Sequence, residues 1–143
     1  MKKLTSFITL SLLMSSPVLS YAMESCPRVE IINEVNSGVY RASGMNGEWI
    51  GVISGITDNK NPVQSFRMAR AIKETSESPL KFQSCTYETK SGVTLDMRFN
   101  STHKTYFTIK TEADVWKEEN SYFGMINSVC EKTEPENCKF SLN

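Results

Sequence analysis

The chain has 143 residues, of which 16 are Lys or Arg and 16 Asp or Glu, so it carries no formal net charge, and 39% of it is hydrophobic. The charges are interspersed rather than blocked, which argues against a nucleic-acid binder, a basic arm or an acidic tail. The length suits one domain with a modest core.

In chain order the first element is a leader. Lys2 and Lys3 form a positive start, the run from Ile8 to Leu19 is apolar, and Ser20-Tyr21-Ala22 places small residues at the two positions a signal peptidase inspects. Residues 1–22 are therefore predicted to be a signal peptide cleaved after Ala22. A membrane anchor would need about 20 uninterrupted apolar residues, and Ser15, Ser16 and Pro17 break this run. A lipid anchor on Cys26 would need a leucine-type box ending in a small residue, which Met23-Glu24-Ser25 is not. The expectation is an exported chain, periplasmic or extracellular, with one β domain over residues 23–143. Loss of Lys2 and Lys3 leaves 14 basic residues against the 16 acidic ones, a formal charge of −2.

Cys26, Cys85, Cys130 and Cys138 all lie beyond the leader, and four cysteines in a small exported chain read as two disulfides with three possible connectivities. "CEKTEPENC" sets Cys130 and Cys138 at the ends of a polar loop that a local bridge closes easily, and that pairing leaves Cys26 to Cys85. No Cys-x-x-Cys pair is present and His103 has no cysteine near it in sequence, so no metal site and no cofactor are expected.

The dominant period is two, the signature of strands with one wet face. "GVYRAS" and "EWIGVIS" flank Gly44-Met45-Asn46-Gly47 as a hairpin. "PVQSFRMARAIKETSES" fits either a helix carrying Phe66, Ala69 and Ile72 or a long strand carrying Phe66, Met68 and Ile72. "LKFQSCTYET", "GVTLDMRF" and "YFTIKT" are joined by short turns and predict an antiparallel meander. "VWKEENSYFGMINSVC" spaces Trp116, Tyr122, Phe123 and Ile126 as a helical stripe interrupted by Gly124. The fold class expected is mainly β: a disulfide-tied antiparallel meander of five to seven strands in a curved sheet or small barrel, with at most one or two short helices.

The motifs "CPRVEII", "GVYRAS", "EWIGVISG", "PVQSF", "CTYET" and "GVTLDMRF" together resemble an uncharacterised family of small secreted proteins from Gram-negative bacteria, classed as a domain of unknown function. The resemblance covers roughly residues 26–100, with a looser fit from Cys130 to Phe140. It implies an exported bacterial protein with a Cys26–Cys85 bridge and carries over no catalytic residue. "CTYETKSGVTLDMRFNSTHKTYFTI" is also similar to the strand-turn-strand pattern of periplasmic lysozyme inhibitors, and "SGVY" to their serine-glycine loop, although the cysteine placement departs from that family.

The candidates for chemistry are few. His103 sits in the polar turn "NSTHK" and reads as a solvated histidine rather than a base beside a nucleophile. "SGMNG" and "GVISG" lack the lysine and the helix of a phosphate loop, and "NST" at Asn100 fits a glycosylation acceptor that the bacterial-type leader leads us to expect is idle. Glu48, Asp58, Asp96, Glu112 and Asp114 could supply a carboxylate pair, but each falls at a turn or on the wet side of a strand. Trp49, Trp116, Tyr40, Tyr87, Tyr106 and Tyr122 could form a contact surface, with Trp49 and Tyr40 equally readable as cross-strand core. The expected function is a non-enzymatic binding module for an unknown protein or glycan, with an inhibitor of a cell-wall hydrolase as its sharper form. Its candidate residues are Ser37, Gly38, Tyr40, Arg41 and Trp49. The alternative from another class is a small secreted hydrolase with a carboxylate pair, distinguished by whether Glu48, Asp96 or Asp114 shares a concave pocket with another acid.

Overall fold

Wherever apolar and polar residues alternate, the chain forms strand, and the apolar set turns inward. In the computed structural model, which describes residues 22–55 and 59–143, the strands are β1 (Ala22–Ser25), β2 (Asn33–Asn36), β3 (Val39–Ser43), β4 (Gly47–Val52), β5 (Val63–Lys73), β6 (Lys81–Thr89), β7 (Thr94–Ser101), β8 (Ile109–Thr111), β9 (Trp116–Asn120), β10 (Ile126–Glu131) and β11 (Lys139–Leu142). Apart from Ala22, the leader lies outside the described residues. In β7, Leu95, Met97 and Phe99 are buried while Thr94, Asp96 and Arg98 are exposed. Only three single turns of 3-10 helix occur among the described residues, at Val29–Ile31, Tyr122–Gly124 and Pro135–Asn137.

Every ladder is antiparallel, and the strands form an eight-stranded sheet in the order β2-β3-β4-β7-β6-β5-β10-β9 and a three-stranded sheet β1-β11-β8. The large sheet ends at β2 and β9 and does not close into a barrel. Eleven strands are present where five to seven were expected: β1, β2 and β11 are only four residues long and carry too little alternation to be read from sequence, and β9 and β10 lie in the stretch read as a helical stripe.

Three local expectations are corrected. The "YFTIKT" segment does not continue the meander: β8 pairs with β11, and β7 pairs instead with β4. The stretch from Trp116 to Cys130 is a hairpin, not a helical stripe, with Tyr122 and Phe123 at its exposed tip. Residues 63–73 are strand, but three register shifts against β6 rotate the chain, so Ala69 and Ala71 are the fully buried residues while Phe66, Met68 and Ile72 are half-buried. A bulge shifts the two-residue period by one and bends the strand.

The three-stranded sheet covers the inner face of the large one. Phe140 of β11 stacks on Phe82 of β6 at 4.6 Å and stands edge-on to Trp49 of β4 and Phe99 of β7, both at 6.4 Å. Trp49 meets Phe82 at 5.5 Å and Phe99 at 5.1 Å. Each large side chain fully removed from water stabilises the fold by about 1.5–3 kcal/mol, so this cluster joins the two layers.

Both disulfides are Cys26–Cys85 and Cys130–Cys138, as the spacing indicated, with Cα separations of 5.9 and 5.8 Å. Ladder register places Met97, Cys85, Ala69, Cys130 and Trp116 directly opposite one another across five neighbouring strands, all buried. Ala69 is thus the small residue that lets two disulfides share one row.

Polar anchors fasten the ends of the strands. The Glu24 carboxylate, buried beneath the β3–β4 turn, accepts a bond from the Asn46 backbone N–H at 2.9 Å. Buried Asn61 donates its backbone N–H to Glu34 at 2.7 Å, accepts the Tyr40 hydroxyl on its carbonyl and accepts the Ser91 N–H at 3.0 Å. That one residue ties the β4–β5 connection to β2, β3 and the β6–β7 turn.

Candidate functional site

The large sheet forks at β6. From Cys85 to Glu88, β6 pairs with β7, but before Cys85 the two strands part, and Leu80, just ahead of β6, bridges instead to Ile109 of β8. Residues 81–84 keep β5 on one side, and residues 98–101 keep β4 on theirs. Among the described residues the facing edges of both segments have no ladder partner. Between them lies a cleft of about 640 Å³ lined by Lys81, Phe82, Gln83, Arg98, Phe99, Asn100, the segment Thr105–Thr108 and Asn143.

Phe82, Phe99 and Phe107 form an apolar floor, with Phe99 edge-on to Phe107 at 5.8 Å. Tyr106 stands at the rim, 92% exposed. Lys81 is ion-paired with Glu74 at 3.1 Å in a solvent-exposed contact worth little to stability. A smaller depression of about 310 Å³ beside the cleft is lined in part by His103 and Lys104. Among the described residues no Asp or Glu side chain lines either one, and Lys81, Arg98 and Lys104 supply the basic side chains of this region, with Asn143, the last residue of the sequence, lining both.

The candidates read from sequence do not gather here. Ser37, exposed, and Gly38, buried, form the turn between β2 and β3, at the opposite end of the sheet. Gly38 has φ +71°, and a Cβ there would come within 2.8 Å of the Ile53 carbonyl oxygen, so the turn itself requires glycine. Arg41 lies on the outer face in an exposed pair with Glu48 at 3.2 Å. Tyr40 and Trp49 are fully buried core; they sit diagonally, Tyr40 opposite Gly51 and Trp49 opposite Ala42. Of the other aromatics, Tyr87 and Trp116 are buried, whereas Tyr106 and Tyr122 are exposed. Burial and Glu34 both raise the Tyr40 phenol; burial, and secondarily Glu136, raise that of Tyr87 further, and its hydroxyl donates to the Pro27 carbonyl.

The carboxylate candidates are likewise dispersed. Asp96 accepts the Thr86 hydroxyl at 2.6 Å and lines a shallow depression with no second acid. Glu112 faces Ser141, Asp114 is exposed, and Asp58 lies outside the described residues. A depression that the sequence did not indicate, of about 580 Å³, is lined by Glu30, Glu134 and Glu136 together with Arg28 and Phe66. One carboxylate oxygen of Glu136 is buried without a hydrogen-bond partner. No group of three His, Cys, Asp or Glu among the described residues is arranged to hold a metal ion.

The lining of the forked cleft comes from residues 81–83, 98–100, 105–108 and 143, which only the parting of β6 from β7 brings together. "LKF" and "MRF" are visible in the sequence, but nothing local marks where two strands stop pairing. Comparison with curated proteins and with solved structures gave no match. A family model, described as a protein of unknown function (DUF3757), matches residues 21–141. With that match running from the first strand into the last, this disulfide-tied pair of antiparallel sheets belongs to the DUF3757 family.

Proposed function

We propose that the chain is an exported, non-enzymatic binding module that takes a protein or glycan partner at the forked cleft. The observation that carries this reading is the composition of the cleft: an aromatic floor, an exposed tyrosine at the rim, two cations, three amides and no carboxylate side chain. Convergent polar groups around an apolar floor are what a recognition site requires. The two disulfides support an oxidising, exported environment, and no described helix is long and apolar enough to cross a membrane. Residues 23–143, immobilised and exposed to envelope and host extracts, should retain a partner that Arg98→Glu and Tyr106→Ala variants release. Equal retention by the folded variants would overturn this site. Inhibition of a cell-wall hydrolase is a special case of this reading, and its signature is slowed lysis by a lysozyme that disappears in the folded Arg98→Glu variant.

The hydrolase reading is favoured by one observation, the three glutamates around the second depression with a buried, unpartnered Glu136 oxygen. Cleavage of a cell-wall oligosaccharide that is lost in a folded Glu136→Gln variant is its test.

A further inference from the structure

A strand normally finds partners on both sides or is protected at its edge, because an open row of N–H and C=O groups recruits another chain. In the forked cleft two such rows face each other inside the molecule, 81–84 of β6 and 98–101 of β7. Beyond the ladders, no backbone bond from the described residues reaches residues 81–84 or 98–100, whereas the neighbouring Leu80 carbonyl is already taken by the Ile109 N–H at 2.9 Å and the Thr102 N–H by the Asn46 carbonyl at 2.9 Å. The open edge of β7 is therefore bounded at one end by its ladder with β6 and at the other by Thr102.

We propose that the forked cleft binds an extended acidic peptide segment of a partner protein, added as a strand along Arg98–Ser101 of β7. The proposal rests on the binding-module reading above and names its ligand. Charge complementarity selects the acidic side chains: Arg98 has no ion-pair partner among the described residues, Lys81 is held only by exposed Glu74, and Lys104 stands beside the mouth. Strand geometry then orders them. Along β7, Arg98 and Asn100 point outward and Phe99 inward, so an added strand sets one residue opposite Arg98 and another opposite Asn100 on the wet face. The residue between them meets Phe99 and Phe107. The bound segment alternates acidic or amide residues with an apolar one, main-chain bonds supplying affinity and alternate side chains supplying choice.

Random displayed octapeptides panned on disulfide-intact residues 23–143 test this. Enriched peptides should carry acids at alternate positions and bind Arg98→Glu roughly tenfold more weakly or worse, while Lys117→Glu on β9 leaves binding unchanged; circular dichroism establishes that both variants fold. Backbone N-methylation of the best peptide should abolish binding at every second position only, the period of a ladder. No enrichment, or indifference to N-methylation, overturns the strand. An array of acidic oligosaccharides separates the two levels: Arg98-dependent glycan binding without peptide binding overturns this proposal and keeps the binding module, and extracts that yield no Arg98-dependent partner of either kind overturn both.

Discussion

Trp49 shows what a single residue does here. Its ring is fully buried among Phe82, Phe99 and Phe140, and its indole N–H has no hydrogen-bond partner. Truncation removes the contact that joins the two sheets, so Trp49→Ala should lower stability by about 3–5 kcal/mol in urea titrations. Trp49→Phe should cost less, since it also removes a buried donor that gains nothing. Tyr87 makes the fold sensitive to alkali. Burial, and then Glu136, raise its pKa above the ordinary value of 10.0. Below pH 10 both folded and unfolded chains keep the proton and the contribution of this tyrosine is intact. Above it the unfolded chain ionises first, so stability falls as pH rises toward the folded value. Tyr40, raised in the same direction, adds to the effect. Stability measured against pH should decline above about pH 10, and less steeply in Tyr87→Phe.

The β9–β10 hairpin is the element where local preference and structure disagree most. Met125 donates its N–H to the Tyr122 carbonyl at 3.2 Å, with Phe123 at φ 58°, ψ 32° and Gly124 at φ 75°, which is a type I′ turn. Asn suits the first central position of such a turn, while a phenylalanine with positive φ costs about 1–2 kcal/mol. Phe123 recovers none of this by packing, being 98% exposed. Phe123→Asn should therefore raise the thermal midpoint; a lower midpoint would show that the ring stabilises the hairpin in a way its exposure does not reveal.

At the scale of the molecule, two disulfides of different reach hold one buried row. The Cys26–Cys85 bridge spans 59 residues and the Cys130–Cys138 bridge 8. In the chain-entropy model these are worth about 4 and about 2.5 kcal/mol. The long bridge also ties the segment after β1 to the centre of the large sheet. Replacing each pair by alanines should make loss of Cys26–Cys85 the costlier change in urea unfolding. The reverse order would mean that the short bridge, which holds β10 next to the start of β11, carries the packing of the small sheet.

The sequence by itself determined the elements whose instructions are local. Alternation in "GVTLDMRF" made β7 and its inward face, Gly44-Met45-Asn46-Gly47 made the β3–β4 hairpin, in which Gly44 donates to the Gly47 carbonyl at 2.8 Å, and the short spacing from Cys130 to Cys138 indicated the pairing of all four cysteines. Trp49 and Tyr40 could be read as core or as anchors, because alternation gives a face but not what covers it. Tertiary structure decided that, by laying Phe140 of the small sheet over Trp49. It also decided the partners of β7 and β8, the bulges that turn Ala69 and Ala71 inward, and the fork at β6. A strand's period is written in its own side chains, but where two strands stop pairing depends on which third strand competes for the edge. The cleft exists because β8 takes the tip of β6 while β7 continues along β4.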